Sequence, residues 1–428
     1  MGNQMASTPP LESSDPITAA LQRAHQASLE LELLKGSERH LGIEAIATAL
    51  EANISVILEA NTKDLEASRE MAVPKLILDW LKLTPERLQK TVRLLRQLPK
   101  LPDPLQRVKN ATYQISGYQT YSQRMPLGVI CLIHEALPEL GAIAAGLCLK
   151  TANSLVIRGC GDASHTNHLI AEIMQTALAD QGLPAGCLES LSSEEGCTVQ
   201  QLVAQDRYLN LIIPYGRPNM IQQVVQHATT PVLRTTVGNC YLYLAPSGDL
   251  ELASWVIQDS HNYEPDAVNA IEKVLVCPEQ KTSHLISLFK SLQEQDFELR
   301  GDASLVEEFP EHLAPIGTEE EWQQAYLEKI VAFKRVPDLA AAITEINCNS
   351  GGHADCIVTE SYHESRQFSM GLDSALIYIN ASPCFSRHPL GSDSVFLGVS
   401  NQKGNRRGLI GLESFTTIKQ VVQGDSTL

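Results

Sequence analysis

The feature that most constrains this chain is a rhythm that begins near residue 126. Short apolar runs, GVICLI (128–133), SLVIRG (154–159), LNLIIP (209–214), YLYLA (241–245), KVLVC (273–277), CIVTE (356–360) and ALIYIN (375–380), alternate with helix-length segments. Runs of four to six residues rich in Val and Ile suit parallel strands buried on both faces, with helices as the crossovers between them. An α/β architecture is the expectation. The first 100 residues read as helix instead. Asp15-Pro16 marks an N-cap and first helical position, a second helical pattern runs from about 39 to 71, and Thr84-Pro85 opens another with Leu88, Val92 and Leu95 on one face. Between the two halves, KNATYQISGYQTYSQR (109–124) alternates polar with apolar or aromatic residues about Ser116-Gly117, which predicts an exposed hairpin suited to packing on a partner subunit.

Charge and cysteine usage narrow the function classes. The chain carries 33 Lys+Arg against 50 Asp+Glu, a net −17, with no basic run to offset it. Nucleic acid and anionic membrane surfaces would repel such a chain. No apolar run approaches a membrane span, the opening MGNQMASTPPLESSDP lacks the regions of a secretory signal, and the myristoylation pattern fails at Ala6. Ten scattered cysteines without a C-x-x-C fit reduced, buried thiols in a cytoplasmic protein. His134, His165 and His353 lack metal-ligand spacing and read as hydrogen-bonded structural groups, so no metal is expected. No G-x-G-x-x-G, Walker loop, H-E-x-x-H or G-x-S-x-G is present.

What does carry information is a collinear series of blocks: MPLGVICLIHEALPE, LCLKTANSLVIRG, QGLPAG, LIIPYG, TPVLRTTVGNCYLYL, VNAIEKVLV, ELRGDA, GGHADCIVTE, DSALIYINAS, SNQK and GLIGLESFTTIK. Over about residues 16 to 420 these resemble the γ-glutamyl phosphate reductase (glutamate-5-semialdehyde dehydrogenase) family of the aldehyde dehydrogenase superfamily, which serves proline biosynthesis. The resemblance implies two parallel-sheet α/β domains plus an oligomerisation arm. Its expected layout is a 1–14 disordered tail, a nucleotide-binding domain over 15–108 and 125–260, a catalytic domain over 261–375, and an arm from 109–124 and 376–420. It also implies NADP(H) as cofactor and a cysteine thiolate that attacks the acyl phosphate to give a thioester, which hydride then reduces.

At the chemical positions the sequence departs from that family. The pattern Arg-Pro-x-x-Cys-Asn-x-x-Glu aligns with Glu264-Pro265-Asp266-Ala267-Val268-Asn269-Ala270-Ile271-Glu272, which places Val268 at the nucleophile. An isopropyl group has no lone pair, and loss of a covalent nucleophile costs on the order of ten-thousandfold or more in rate. The family's Glu-x-Arg-Pro-Asn reads Glu135-Ala136-Leu137-Pro138-Glu139, so an arginine has become Leu137 and the oxyanion-donating asparagine has become Glu139. A family lysine is His261, Pro-Arg-Gly is Pro214-Tyr215-Gly216, and the glutamate that holds the nicotinamide ribose aligns with Phe396. Lys403-Gly404-Asn405-Arg406-Arg407-Gly408-Leu409 stands in place of Lys-x-His-Ala-Arg-Gly-Pro.

These changes point to a pocket stripped of cations and lined by Glu135, Leu137, Tyr215, His261, Glu264 and Asn269. Repair should need Val268→Cys, Glu139→Asn, Leu137→Arg and Glu264→Arg together. For the cofactor, Lys150, Arg158, Gly159 and Asp162 are the candidate contacts, with NADP binding in doubt. The reading that follows is a catalytically impaired family member with a regulatory, scaffolding or ligand-binding role. It would form a homo-oligomer and have a protein partner such as an active paralogue or glutamate 5-kinase. The alternative is an active NADPH-dependent γ-glutamyl phosphate reductase.

Overall fold

The computed structural model describes residues 15–424 apart from 111–117, 193–195, 263–265, 390–391, 393 and 405. The expected tail (1–14), the tip of the 109–124 hairpin and Glu264 lie outside the described residues. Five helices come first: α1 (Pro16–Leu33), α2 (Gly36–Ala52), α3 (Ile54–Glu70), α4 (Lys75–Leu81) and α5 (Pro85–Gln97). Both predicted caps hold, with the Asp15 and Thr84 side chains accepting from Ile17 N and Arg87 N. The single helical pattern at 39–71 divides at Asn53, which caps the end of α2 and starts α3.

An antiparallel pair follows, β1 (Val108–Asn110) with β2 (Tyr118–Pro126). Next come β3 (Val129–His134), α6 (Leu140–Lys150), β4 (Ser154–Gly159), α7 (Ser164–Asp180), β5 (Leu188–Ser190), α8 (Val199–Val203), β6 (Leu211–Tyr215) and α9 (Pro218–His227). The four strands form a parallel sheet in the order β5-β4-β3-β6. Every residue of β3 and of α6 is buried, which explains why both read as unbroken apolar runs rather than as alternation.

The second sheet has seven parallel strands, ordered β10-β9-β11-β8-β7-β12-β13. Its elements in chain order are β7 (Cys240–Leu244), α10 (Leu250–Ser260), β8 (Ile271–Val276), α11 (Thr282–Gln293), β9 (Glu298–Gly301), α12 (Ala303–Glu308), β10 (Ala314–Pro315), β11 (Ile330–Arg335), α13 (Leu339–Asn349), β12 (Ala354–Val358), α14 (Tyr362–Gly371) and β13 (Leu376–Ile379). The expected boundary at residue 260 therefore falls too late. Tyr241–Leu244 pair with Lys273–Val276 and Leu242–Leu244 with Cys356–Val358, so β7 and α10 belong to this second unit. Residues 376–379, expected in the arm, are its edge strand.

A short antiparallel pair, β14 (Val399–Ser400) with β15 (Gly408–Leu409), precedes β16 (Thr416–Gly424). β16 runs antiparallel to β2 over its full length, from Thr416 opposite Pro126 to Gly424 opposite Tyr118, and completes the sheet β1-β2-β16. Ile418 and Val422, on one face of β16, are more than half exposed. Among the described residues no single helix is long and apolar enough to cross a membrane.

One expected cofactor contact is corrected by the fold. Lys150 ends α6 fully buried, with Nζ donating to Leu101 O at 2.6 Å and Pro99 O at 3.3 Å and facing His40 Nε2 at 2.9 Å. Burial pushes its ammonium down to about 8. The group ties the end of α5 to α6 and reaches no cleft. Lys150→Met should cost roughly 2–4 kcal/mol, because two buried carbonyls lose their donor. Urea unfolding checks this, and intact stability with lost nucleotide binding would return Lys150 to the cofactor.

Candidate active site

The carboxyl ends of β3 and β6 and the segment leading into β8 bring together several of the positions singled out in the sequence. Val268 sits in that segment, fully buried, packed with Phe385 and Val399 and against Leu376 and Phe396. Its carbonyl accepts from Gly238 N at 2.9 Å and from His353 Nε2 at 2.9 Å, so the backbone at this position is held firmly while the side chain offers no nucleophile. The thiol nearest in connection is Cys240, whose Sγ lies 3.3 Å from the same His353 nitrogen. Cys240 is buried, and burial together with Asp355 and Cys356 pushes its pKa well above the ordinary thiol value. A thiol held protonated inside the protein is inert.

The positions expected to form an acidic, cation-free pocket are not arranged that way. Glu135 follows β3 directly and its carboxylate accepts from Arg217 backbone N at 2.9 Å and from Arg217 Nε at 3.0 Å, at the start of α9. Glu139 is buried before α6 and accepts from Arg87 Nε at 2.8 Å. Asp266, two residues before Val268, is fully buried and paired with Arg387 Nη2 at 3.0 Å. The Tyr215 hydroxyl donates to Asp266 Oδ2, and Arg387 Nη2 lies 3.2 Å from the same hydroxyl while Nη1 donates to Leu397 O. Glu135, Glu139 and Asp266 thus each have a guanidinium partner, as burial of a charge requires. Sequence reasoning missed Arg87, Arg217 and Arg387 because they come from α5, the loop before α9 and the C-terminal segment, outside the altered motifs.

The remaining candidates scatter. Leu137 is a core residue at 0% exposure, packed with the apolar cluster that contains Tyr215 and Leu397. It follows Ala136 with φ of 48° and 51° respectively, left-handed backbone that costs on the order of 1–3 kcal/mol per residue and is held here by His134 Nδ1 donating to Ala136 O at 2.8 Å. Asn269 donates to Pro383 O at 2.8 Å. His261 donates from Nε2 to Ile271 O at 2.9 Å and lines a cavity of about 710 Å³ between α4–α5 and the β8 approach. Ala267 and Ala270 line that cavity and Val268 does not; Lys75, Lys82 and Lys329 bring cations to it. A second, 430 Å³ cavity carries Arg234, Lys403 and Arg407, the last two paired with Asp373. Cations are present near the site, displaced from the family's positions.

The candidate cofactor contacts Arg158, Gly159 and Asp162 stand together at the end of β4. Gly159 lines a cavity of about 620 Å³ between β4, β5 and α7, with Arg158 immediately before it. Asp162 lies in the short helical turn Gly161–Ala163 that follows β4, ahead of α7. Phe396 packs against the buried cluster of Val268, Phe385 and Val399. The Tyr215 ring approaches so closely that even a Cβ on Gly398 would come within 2.8 Å of it. Glu135 and Arg217 form an ion pair beside the carboxyl ends of β3 and β6.

Three histidines around the site are buried as neutral imidazoles. Burial pushes His134, His261 and His353 each down to about 4. Their folded pKa values lie below the unfolded 6.5, so the unfolded state binds the extra protons and stability is lost as pH falls from about 6.5 through 4. Asp355, pushed up to about 6 by burial, and Glu272, also raised by burial, work in the opposite direction. His40, lowered by burial and by the Lys150 charge, adds a fourth imidazole against those two carboxyls. Thermal melts should show Tm falling from pH 7 to pH 4, with a shallower fall in His353→Gln; a flat profile would contradict the buried-imidazole arrangement. Arg387→Met, which strands the Asp266 charge, should cost roughly 3–5 kcal/mol in urea unfolding.

Residues 2–276 match the aldehyde dehydrogenase family model. The chain is 53% identical over 418 residues to γ-glutamyl phosphate reductase 2 of Synechocystis sp., covering 97% of this chain and 99% of that protein. It is 37% identical to γ-glutamyl phosphate reductase of Gloeobacter violaceus, over 98% and 100% of the two chains. A crystal structure of γ-glutamyl phosphate reductase from Thermotoga maritima superposes with a TM-score of 0.87 at 31% identity, over 97% of this chain and all of that one. The parallel sheets, the long β2–β16 pairing and the collinear blocks agree with these matches, and the chain belongs to the γ-glutamyl phosphate reductase family of the aldehyde dehydrogenase superfamily.

Proposed function

We propose that this chain is a member of the γ-glutamyl phosphate reductase family that no longer runs the thioester route and serves instead as a regulatory, scaffolding or ligand-binding protein. One observation carries the reading: the nucleophile position is Val268, fully buried in an apolar cluster. Thioester formation needs a thiolate within reach of the acyl phosphate carbonyl. Cys240, shut in behind His353, does not provide one. Glu139 adds a second obstacle, since an amide donor to a developing oxyanion has become a carboxylate paired with Arg87. The proposal extends to a cytoplasmic setting and to a homo-oligomer built through β2 and β16. It also extends to a protein partner such as an active paralogue or a glutamate 5-kinase.

A second reading, an active NADPH-dependent reductase of proline biosynthesis, is favoured by the 53% identity to a chain named γ-glutamyl phosphate reductase 2. Turnover separates the two. The purified chain should show no phosphate-dependent oxidation of glutamate-5-semialdehyde, and a rate within about tenfold of an active family member, free of contaminating reductase, would establish the second reading.

Val268→Cys alone should restore nothing. The new thiol would be as buried as the valine, which favours the protonated form. The fourfold repair is also less simple than the motifs suggest. Leu137→Arg would place a guanidinium in a fully buried apolar position, and Glu139→Asn would strip the nearly buried Arg87 of its carboxylate. That variant should unfold at lower urea than the parent and stay inactive. Val268→Cys reaching a hundredth of an active enzyme's turnover would contradict the reading of a closed site.

A further inference from the structure

We propose that the groove between α2 and α7 is a docking site for a partner protein, filled by one amphipathic helix whose apolar stripe is flanked by Lys and Arg. None of the residues that depart from the family's motifs lines this groove, so the proposal stands apart from the question of turnover. The groove has a volume of about 690 Å³. Leu41, Ala45 and Ala49 recur at i, i+4 and i+8 on α2, and Leu169, Ile173 and Ala177 recur with the same spacing on α7. That spacing puts each trio on one side of its helix, one turn above the next. A Cβ on Gly42 would meet Leu183 at 3.0 Å and Leu178 at 3.2 Å, which brings the start of α2 beside the end of α7 and sets the two helices antiparallel.

A surface helix needs one apolar stripe, and α2 has two. Its inner stripe, Ile43, Ile46 and Leu50, is already in the core. The outer one is open to water: Leu41 is 59% exposed, and Ala45 and Ala49 are half-buried, as are Leu169 and Ile173 across the groove. A continuous apolar strip of this kind marks an interaction surface. Its shape suits a helix. The small side chains of Ala45, Ala49 and Ala177 leave room for a third helix axis at about 8–10 Å from its neighbours. From Leu41 to Ala52 the groove runs about 16 Å along α2, the length of three turns of a bound helix.

Charge selects the occupant. Glu44, Glu172 and Asp180 line the groove, and no Lys, Arg or His does. Among the described residues Glu172 and Asp180 have no ion-pair partner. Glu44 reaches only Arg96 Nε at 4.0 Å, and that guanidinium is held by Glu51 at 2.6 Å. Basic residues beside an apolar stripe complement such a rim. The chain's own ends do not: residues 1–14 hold Glu12 and no Lys or Arg, and residues 425–428 read DSTL. A second copy seated through the same face would bring these carboxylates against their equivalents, which opposes association.

Fluorescence anisotropy with the full chain tests this, using two labelled peptides of about fourteen residues, long enough for the groove. Both carry Leu at i, i+3, i+4 and i+7, and they differ in having Lys or Glu beside that stripe. The Lys peptide should bind below about 1 mM and gain helical circular dichroism, with the Glu peptide at least about tenfold weaker. Thr48→Lys combined with Thr176→Lys fills the mouth of the groove at two exposed positions where Lys is the better helix former. That variant should weaken the Lys peptide at least about tenfold. If it does not fold, Glu172→Gln with Asp180→Asn keeps the shape and should cut the preference for Lys over Glu at least about threefold. Three results would overturn the proposal: no binding of the Lys peptide at about 1 mM, the two peptides within about tenfold of each other, or binding undiminished in the variants. So would light scattering that shows an oligomer of the parent chain dissociated by Thr48→Lys with Thr176→Lys, since a second copy would then cover the groove.

Discussion

Asp266, Arg387 and Tyr215 form the buried contact on which the site depends. A carboxylate with no exposed side-chain surface cannot remain charged inside a protein unless a cation and further donors surround it. Here the cation comes from the C-terminal segment and the extra donor from the last residue of β6. Three distant stretches, near 215, 266 and 387, are thereby pinned to one another between the two sheets. Val268, two residues after Asp266, sits in the buried cluster with Phe385 and Val399, against which Phe396 packs.

The same logic runs through the other replaced positions. Glu139 and Glu135 would be intolerable as bare buried carboxylates, and each has acquired an arginine from a neighbouring element, Arg87 from α5 and Arg217 from the turn into α9. Such pairs contribute little net stability, yet breaking one is expensive. They therefore lock the altered site against simple reversal. Position 137 shows this most plainly. A leucine fills a core position on a left-handed backbone, and the surrounding apolar cluster has no place for the charge the family carries there.

Much of the fold was legible because it rests on local patterning. SLVIRG is a strand over the residues expected, the other six runs shift by one to two residues at their ends, and Thr84-Pro85 opens α5. The short strands β5 and β9 and the six-residue β11 are not singled out by the sequence pattern. β9 alternates exposed with buried residues over four positions, and β11 ends in the half-exposed Lys334 and Arg335, so neither stands out as a Val/Ile run. The domain boundary was misplaced because nothing in composition marks the loop between α9 and β7; the pairing of β7 with β12, more than a hundred residues away, decides it.

At the site, the motif substitutions identified which residues had changed but not what they touch. Lys150 sits in a block shared with the family, and only three-dimensional placement shows its ammonium caged by Leu101 and Pro99 carbonyls. The arginine partners lay outside every altered motif and were invisible to a reading confined to those motifs. The central claim, that no residue of this chain can form the thioester, is tested most directly by intact-mass spectrometry. The chain would be incubated with γ-glutamyl phosphate generated in situ and quenched in acid. The account expects an unmodified mass with all ten cysteines free, whereas a γ-glutamyl adduct on any of them would contradict it.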